Sequence, residues 1–321
     1  MGIELYVTPL NYGGIIETEN IIDGTIINFY DAPRFKVKHM TIKANEKLGG
    51  YGAYIEAATR DRNLHVGIGS VLEAFRGEEK IMRNRDFHAF GEQAVEFGDF
   101  TAEEGECIRL VKYASIYTER ECPAYGLHVA VEKEIQAFEE EGFQEELEKH
   151  AGVYEKMWEE ANLKIKGDFD LDRAVRFNIF HLMSTGNEED DRISVGAKLL
   201  TGEEYGGHAF WDIELFMLPF FSFVFPKMAK NMENYRYHLL DAARANAKKN
   251  GYKGAQYPWE SADDGTEQCP DWTIEPDGTC YRCYVAMYEH HVTADVAYGI
   301  YDYVKITNDR DFLFHEGAEI L

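Results

Sequence analysis

Cysteine, basic residues and long apolar runs are all scarce in this 321-residue sequence. Its five cysteines are an odd number in a long chain, which favours reduced thiols over a disulfide framework. The longest apolar stretch, 215–225, is interrupted by Pro219 and is too short to span a bilayer. The start of the chain has no basic segment followed by an apolar one, as a secretory signal requires. These features predict a cytoplasmic protein with no membrane partner.

The sequence contains 33 Lys and Arg against 58 Asp and Glu, which gives a formal net charge of −25. Such a surface repels nucleic-acid phosphates, so we expect no nucleic-acid partner. A neutral ligand suits this field, whereas an anion such as phosphate needs local cationic groups or a helix N-terminus. The sequence also has no Walker loop, no G-x-G-x-x-G after a strand and no G-x-S-x-G elbow.

The hydrophobic period along the chain predicts strands first and helices afterwards. Short alternating runs such as 64–68, separated by turn signals such as Asp31-Ala32-Pro33, predict a partial β-sandwich over residues 1–125. A helical stripe from Phe143 to Trp158 lies within a predicted helical linker, 126–167. The remainder, 168–321, has helical patterns joined by long loops, with no convincing strand between them. These helical patterns cover 171–182, 228–249, 292–306 and 309–321.

The stretch 207–225 contains the first candidate site, where Trp211 and Asp212 follow a glycine-rich approach and precede an apolar run. A sugar ring stacks its apolar face on an aromatic ring, while its hydroxyls need acceptors beside that ring. Trp211 and Asp212 supply both. The alternative is structural: Trp211 belongs to the core and Asp212 is the N-cap of a helix.

A second tryptophan with a following carboxylate, Trp259-Glu260, lies in the loop 254–291. The pair suits a second sugar ring, as a disaccharide requires. In the alternative interpretation, Trp259 plugs a packed loop and Glu260 is solvated.

Neither the histidine pair nor the C-x-x-C motif predicts a metal site. Adjacent His290 and His291 open a helix and project in different directions, which favours lining a pocket or orienting carboxylates over metal binding. Cys280 and Cys283 have the spacing of half a zinc site, but the sequence has no second close pair.

Several segments, in their order along the chain, resemble glycoside hydrolase family 65, the inverting α-glucoside phosphorylases acting on maltose, trehalose, kojibiose or nigerose. They are 176–182 (RFNIFHL), 197–203 (AKLLTGE), 207–219 (GHAFWDIELFMLP), 251–261 (GYKGAQYPWES) and 291–298 (HVTADVAY). The β half matches best at 112–118 (KYASIYT). Ile213 departs from the pattern, because the family usually has Thr there.

The resemblance implies an α+β multidomain fold: part of an N-terminal β-sandwich, a helical linker, then an incomplete (α/α)6 barrel over 168–321. Trp211 and Asp212 would hold the glucosyl ring, and Trp259 and Glu260 would contact the second sugar. The residues expected to line the pocket are Phe210, His208, Glu214, His291 and Thr293. An open half-barrel would expose apolar helix faces, so a homodimer or other self-association is expected.

The implied reaction is inverting phosphorolysis of an α-linked glucose disaccharide to β-glucose 1-phosphate and a released sugar. Inorganic phosphate is the co-substrate and nucleophile, and no other cofactor or metal is implied. The enzyme itself needs only a carboxylic acid that protonates the leaving oxygen. Family members place that acid and the phosphate loop further along the barrel, so both are expected beyond Leu321. The alternatives are a non-catalytic carbohydrate-binding remnant and an α-glucoside hydrolase.

Overall fold

The computed structural model describes residues 1–29, 36–199, 204–274 and 277–321. The predicted turn at Asp31-Ala32-Pro33 and the end of the 197–203 segment lie outside these ranges. The chain forms two compact units, one built from residues 1–28 and 36–153 and the other mainly from 154–321. The predicted linker 126–167 is thus divided between the units.

Strands occupy the first unit as far as residue 118. Their bounds are β1 (Gly2–Val7), β2 (Gly14–Asp23), β3 (Asn28–Phe29), β4 (Lys36–Val37), β5 (Met40–Leu48), β6 (Gly52–Thr59), β7 (His65–Arg76), β8 (Glu79–Lys80), β9 (Arg83–Phe90), β10 (Gln93–Ala102) and β11 (Ile108–Thr118).

Two antiparallel sheets make the sandwich of the first unit. One has the order β1-β11-β7-β6-β5, with β8 paired to β7, and the other has the order β2-β10-β9. Successive side chains of a strand point to opposite faces of the sheet, so β6 contributes residues to two hydrophobic cores. Tyr54 packs with Val131 and Ile135 of a helix, whereas Ile55 packs with Ala94 of β10. The predicted sheet-rich N-terminal part is confirmed.

Helices follow the sandwich. Their bounds are α1 (Leu127–Glu141), α2 (Phe143–Glu160), α3 (Phe169–Met183), α4 (Leu218–Val224), α5 (Pro226–His238), α6 (Leu240–Lys249), α7 (Val285–Tyr288), α8 (His291–Thr307), α9 (Arg310–Phe312) and α10 (Ala318–Ile320). Two π-helical turns, Ile213–Met217 and Leu313–Gly317, precede α4 and α10. No helix in the described ranges is long and apolar enough to cross a membrane.

The predicted helices are present, with one break. The pattern 228–249 is divided into α5 and α6 at Leu239, whose φ of −97° and ψ of 6° are not helical. Capping residues bound two of these helices: Asp168 accepts a 3.0 Å hydrogen bond from the Leu171 amide at the start of α3, and Asn308 ends α8 in the left-handed conformation.

The prediction that no strand lies among the helices is wrong. A hairpin of β12 (Trp272–Ile274) and β13 (Cys280–Arg282) stands in the loop 254–291. Each strand has only three residues, and its side chains are mostly exposed. So short a strand, with no buried face, carries no alternating signal that a sequence pattern can reveal.

The core of the helical unit gathers the inner sides of α4, α5 and α8, with Phe221, Met228 and Ile300 among its buried residues. Other aromatic side chains of the same helices face solvent. Phe223 of α4 is 73% exposed and Tyr301 of α8 is 56% exposed.

Candidate functional site

Trp211 and Asp212 stand at the entrance to the π-helical turn that leads into α4. Asp212 has helical φ and ψ of −52° and −30°, and its side chain makes no capping hydrogen bond. Asp212 thus occupies the N-cap position of the turn, as the structural alternative predicts, but its side chain does not cap the turn. Its carboxylate is half-buried and forms no side-chain hydrogen bond within the described residues. The Asp212 oxygens are therefore available to accept hydrogen bonds beside the Trp211 indole.

The two predicted tryptophans meet around one histidine. The His291 ring lies edge-on to Trp211, with centroids 4.9 Å apart, and edge-on to Trp259, with centroids 5.9 Å apart. Phe210 is buried and lies edge-on to the Trp259 ring, with centroids 6.4 Å apart. Three segments distant in sequence thus form one aromatic cluster, consisting of Phe210, Trp211, Trp259 and His291.

The loop that carries Trp259 is fixed by two sets of backbone contacts. Ala209 and Ser261 exchange two 2.9 Å backbone hydrogen bonds, which hold the loop beside the first motif. The Glu267 carboxylate accepts hydrogen bonds from the amides of Trp259, Glu260 and Cys269 at 2.7, 3.1 and 3.0 Å. Burial raises the pKa of Glu267, and these amide bonds oppose that shift.

Glu260 is buried, at 5% exposure, and its Oε1 lies 2.6 Å from Nδ1 of His208. The alternative in which Glu260 is solvated is therefore wrong. His208 orients the carboxylate and places a ring beside it, so the two residues form one polar unit at the edge of the aromatic cluster.

Glu214 does not line a pocket, contrary to the prediction. Its carboxylate accepts hydrogen bonds from Nε and Nη2 of Arg236 at 2.5 and 3.1 Å, and both side chains are about 1% exposed. The Ile213–Met217 turn directs Glu214 toward α5, because successive positions on a helical turn point to different sides. Phe210 is likewise buried, and the Thr293 hydroxyl accepts a 3.0 Å hydrogen bond from the Tyr257 amide.

Arg236 also donates from Nη2 to the Phe210 carbonyl at 3.1 Å. A second buried carboxyl group, Glu233, lies on the same helix. Burial, and then the nearby Glu214 carboxylate, raise the pKa of Glu233 well above its usual value, while Arg236 opposes the shift. Gly299 of α8 passes close to both acids, since a Cβ there would lie 2.8 Å from Glu233 Oε1 and 2.9 Å from Glu214 Cγ.

The adjacent histidines diverge as predicted. His291 Nδ1 lies 2.6 Å from Asp295 Oδ2 one helical turn later, whereas the His290 ring contacts Tyr252 with centroids 5.6 Å apart. In the described ranges, no three His, Cys, Asp or Glu side chains are grouped to hold a metal ion.

A cavity of about 320 Å³ adjoins His208. Its walls include Ser194, Tyr235 and Ser261, but neither Trp211 nor Trp259. The Trp211 and Asp212 surface is therefore separate from this cavity.

Two domain descriptions of one family match the chain in succession. Residues 1–157 match the glycosyl hydrolase family 65 N-terminal domain, and residues 176–321 match the glycosyl hydrolase family 65 central catalytic domain. The chain belongs to glycosyl hydrolase family 65. The resemblance of its motifs is confirmed, including the β half, where those motifs match least well.

Individual relatives agree with this assignment. The chain is 45% identical to a kojibiose phosphorylase of Thermoanaerobacter brockii, over 99% of this chain and 42% of that one. It is 46% identical to a kojibiose phosphorylase of Caldanaerobacter subterraneus subsp. tengcongensis, with the same coverage of 99% and 42%. The chain thus spans less than half the length of these curated relatives.

A solved structure shares the fold of this family 65 chain. It belongs to a protein from the human microbiome assigned as a kojibiose phosphorylase, with a TM-score of 0.74 and 20% identity, covering 97% of this chain and 38% of that one. At this identity the likeness concerns the fold alone.

Sequence reasoning missed Arg236 and Glu267. The sequence does contain a signal for Arg236. Arg236 lies four residues after Met232 and three before Leu239, and so falls on the apolar stripe of a predicted helix. A charged side chain at such a position is buried and needs a partner. Glu267 had no such signal, because its three amide contacts arise only once the loop has folded.

Proposed function

We propose that this chain supplies the sugar-binding part of a disaccharide phosphorylase site. The reaction is phosphorolysis of an α-linked glucose disaccharide to β-glucose 1-phosphate and a released sugar. The observation that carries the proposal is the Asp212 carboxylate, which forms no side-chain hydrogen bond within the described residues. It lies beside Trp211, whose cluster also contains His291 and Trp259. Kojibiose is the first substrate candidate, because two close relatives bear that name.

Each pair would serve one ring of the disaccharide. Trp211 stacks on the apolar face of the glucosyl ring, and Asp212 accepts hydrogen bonds from its hydroxyls. Trp259 and Glu260 contact the second sugar, with Glu260 oriented by His208. His291 separates and positions the two indoles, and Asp295 fixes the His291 ring.

The carboxyl groups close to the cluster have other partners. Glu260 faces His208, Asp295 faces His291, Glu214 faces Arg236, and Glu267 accepts backbone amides. Asp212 is already assigned as the acceptor for the glucosyl hydroxyls. On the family resemblance, we place the general acid and the phosphate-binding loop further along the barrel, outside this chain. Phosphate is the co-substrate, with no other cofactor, and the cytoplasm is the proposed location.

A turnover assay with and without phosphate tests the reaction. The protein is incubated with kojibiose, trehalose, maltose or nigerose, and glucose 1-phosphate and glucose are quantified. We expect binding of kojibiose with little glucose 1-phosphate from this chain alone. Rapid phosphate-dependent release would contradict the placement of the acid, and glucose release without phosphate would instead favour a hydrolase. If none of the four sugars binds, the proposal fails.

Self-association is part of the same proposal. The helical unit exposes large aromatic side chains, including Phe223 and Phe314, each 73% exposed. Exposed apolar patches of this kind favour contacts between protein molecules. Size-exclusion chromatography with light scattering should detect dimers or larger species, and a clean monomer at high protein concentration would contradict this expectation.

A further inference from the structure

We propose that Cys269 and Cys283 form a redox-sensitive dithiol, which a low-molecular-weight disulfide oxidises to a disulfide bond at the base of the β12–β13 hairpin. The two Sγ atoms lie 3.7 Å apart. Both thiols are half-buried, and all five cysteines of the chain are free.

The hairpin brings the two cysteines together. Trp272 pairs with Arg282 in the strand register, and the Cys283 amide continues the ladder with a 2.8 Å hydrogen bond to the Asp271 carbonyl. Cys269 lies two residues before Asp271, across the base of the hairpin from Cys283. A disulfide requires an S–S distance of about 2.0 Å, so the sulfurs must approach by roughly 1.7 Å. We expect side-chain rotation to provide this approach while the ladder stays in place.

The C-x-x-C spacing alone points to a different pair, Cys280 with Cys283. In the structure, Cys280 belongs to β13, where it is paired with Ile274, and its side chain is exposed. Cys280 makes no sulfur contact within the described residues. Cys283 thus has its sulfur neighbour in Cys269, fourteen positions earlier, rather than in its sequence motif.

The chemistry is a balanced thiol–disulfide exchange. The Cys283 thiolate attacks one sulfur of oxidised glutathione, the S–S bond of glutathione breaks, and one glutathione thiolate leaves with the electron pair. Cys269 then loses its proton to solvent and attacks the Cys283 sulfur, which releases the second glutathione thiolate. Two protein thiols are oxidised and one glutathione disulfide is reduced to two thiols. Burial and the adjacent Cys283 sulfur raise the pKa of Cys269, so Cys283 attacks first.

The bond would restrain the loop that carries Trp259 and Glu260. Glu267, which accepts the amides of both residues, stands two positions before Cys269 and also accepts the Cys269 amide. Oxidation therefore connects the hairpin covalently to the segment that holds this loop. The covalent step itself does not depend on the proposed sugar-binding function.

Peptide mapping tests the pairing directly. The folded protein is treated with oxidised glutathione, alkylated in denaturant, and digested with trypsin, which cleaves after Arg282 and separates Cys283 from both Cys269 and Cys280. We expect titratable thiols to fall from the five of the sequence to three. Peptides 254–282 and 283–305 should appear joined, about 2 Da lighter than the sum of their masses with Cys280 alkylated and with Cys269 and Cys283 as free thiols. Fragment ions should locate the bond at Cys269.

Matched serine variants exclude the neighbouring pair. Cys269→Ser and Cys283→Ser should abolish the joined peptide, whereas Cys280→Ser should retain it at the wild-type yield. Fragment ions that locate the bond at Cys280, or a joined peptide that survives Cys269→Ser, would overturn the proposal. So would wild-type protein that carries only glutathione adducts. The wild-type fragment spectrum decides the pairing even if a variant misfolds.

Discussion

Arg236 holds Glu214 through two hydrogen bonds, from Nε at 2.5 Å and from Nη2 at 3.1 Å, in a place where neither side chain reaches solvent. The same guanidinium binds the carbonyl of Phe210, the residue immediately before Trp211. The buried ion pair is thus the anchor that joins the candidate site to α5.

Replacing Arg236 with Met should destabilise the protein by about 3–5 kcal/mol, because a buried Glu214 carboxylate would remain without its partner. The matched control is Arg244→Met, since Arg244 forms exposed ion pairs with Asp241 and Glu319. Such exposed pairs contribute little to stability, because water screens them. Urea unfolding followed by circular dichroism measures the free energy of unfolding of both variants. Equal losses of stability would show that the buried pair has no special role.

Glu233 should make stability depend on pH. Its pKa is raised in the folded state by burial and by Glu214, so the folded protein keeps a proton that the unfolded chain loses. This contribution is fully present below the unfolded pKa and is lost as pH rises toward the folded value, by about 1.4 kcal/mol per pH unit.

Glu233→Gln removes this titration, so its free energy of unfolding should fall less steeply with pH than that of the wild type. Urea unfolding at half-unit intervals from pH 5 to about 8.5 compares the two slopes. Parallel curves would contradict the assignment of a raised pKa to Glu233.

Gly299 permits α8 to approach the two buried acids. An alanine Cβ there would lie 2.8 Å from Glu233 Oε1 and 2.9 Å from Glu214 Cγ, so Gly299→Ala should destabilise by about 1–3 kcal/mol despite alanine's better helix propensity. Gly152 of α2 has open space around its Cβ position, so Gly152→Ala should be neutral or slightly stabilising. Thermal unfolding of both variants checks the contrast, and a stabilised Gly299→Ala protein would refute the close approach.

Glu267 should control the second tryptophan without touching sugar. Glu267→Gln weakens three amide contacts that hold the Trp259 and Glu260 backbone, and hydrogen bonds to a charged group contribute about 1.5–3 kcal/mol each. We expect affinity for kojibiose to fall about tenfold. Exposed Glu159→Gln is the control, and calorimetric titration gives both dissociation constants. Unchanged affinity in Glu267→Gln would mean that this loop position is irrelevant to binding.

Local periodicity was enough to predict the helices, apart from the break at Leu239. Helix α8 coincides with the predicted 292–306 pattern, and His291 and Asp295 meet one turn apart, as a helix requires. These features depend on residues close together in sequence.

The partners of the acidic residues could not be predicted in the same way. Glu214 was expected to line the pocket, but the π-helical turn directs it to Arg236. Glu260 was solvated in one interpretation of the sequence, yet Nδ1 of His208, 52 positions earlier, lies 2.6 Å from its Oε1. Such pairings are set by tertiary packing, which a single sequence does not encode in any local pattern.

The central claim is that Asp212, beside Trp211, binds the glucosyl ring. Calorimetric titration of kojibiose into wild-type protein, Asp212→Asn and the control Asp241→Asn tests it most directly, since Asp241 is exposed and pairs with Arg244, outside the aromatic cluster. The account predicts that Asp212→Asn loses at least about tenfold in affinity, as expected for a lost charge-assisted hydrogen bond, while the control binds like wild type. Equal affinities for all three proteins would contradict it.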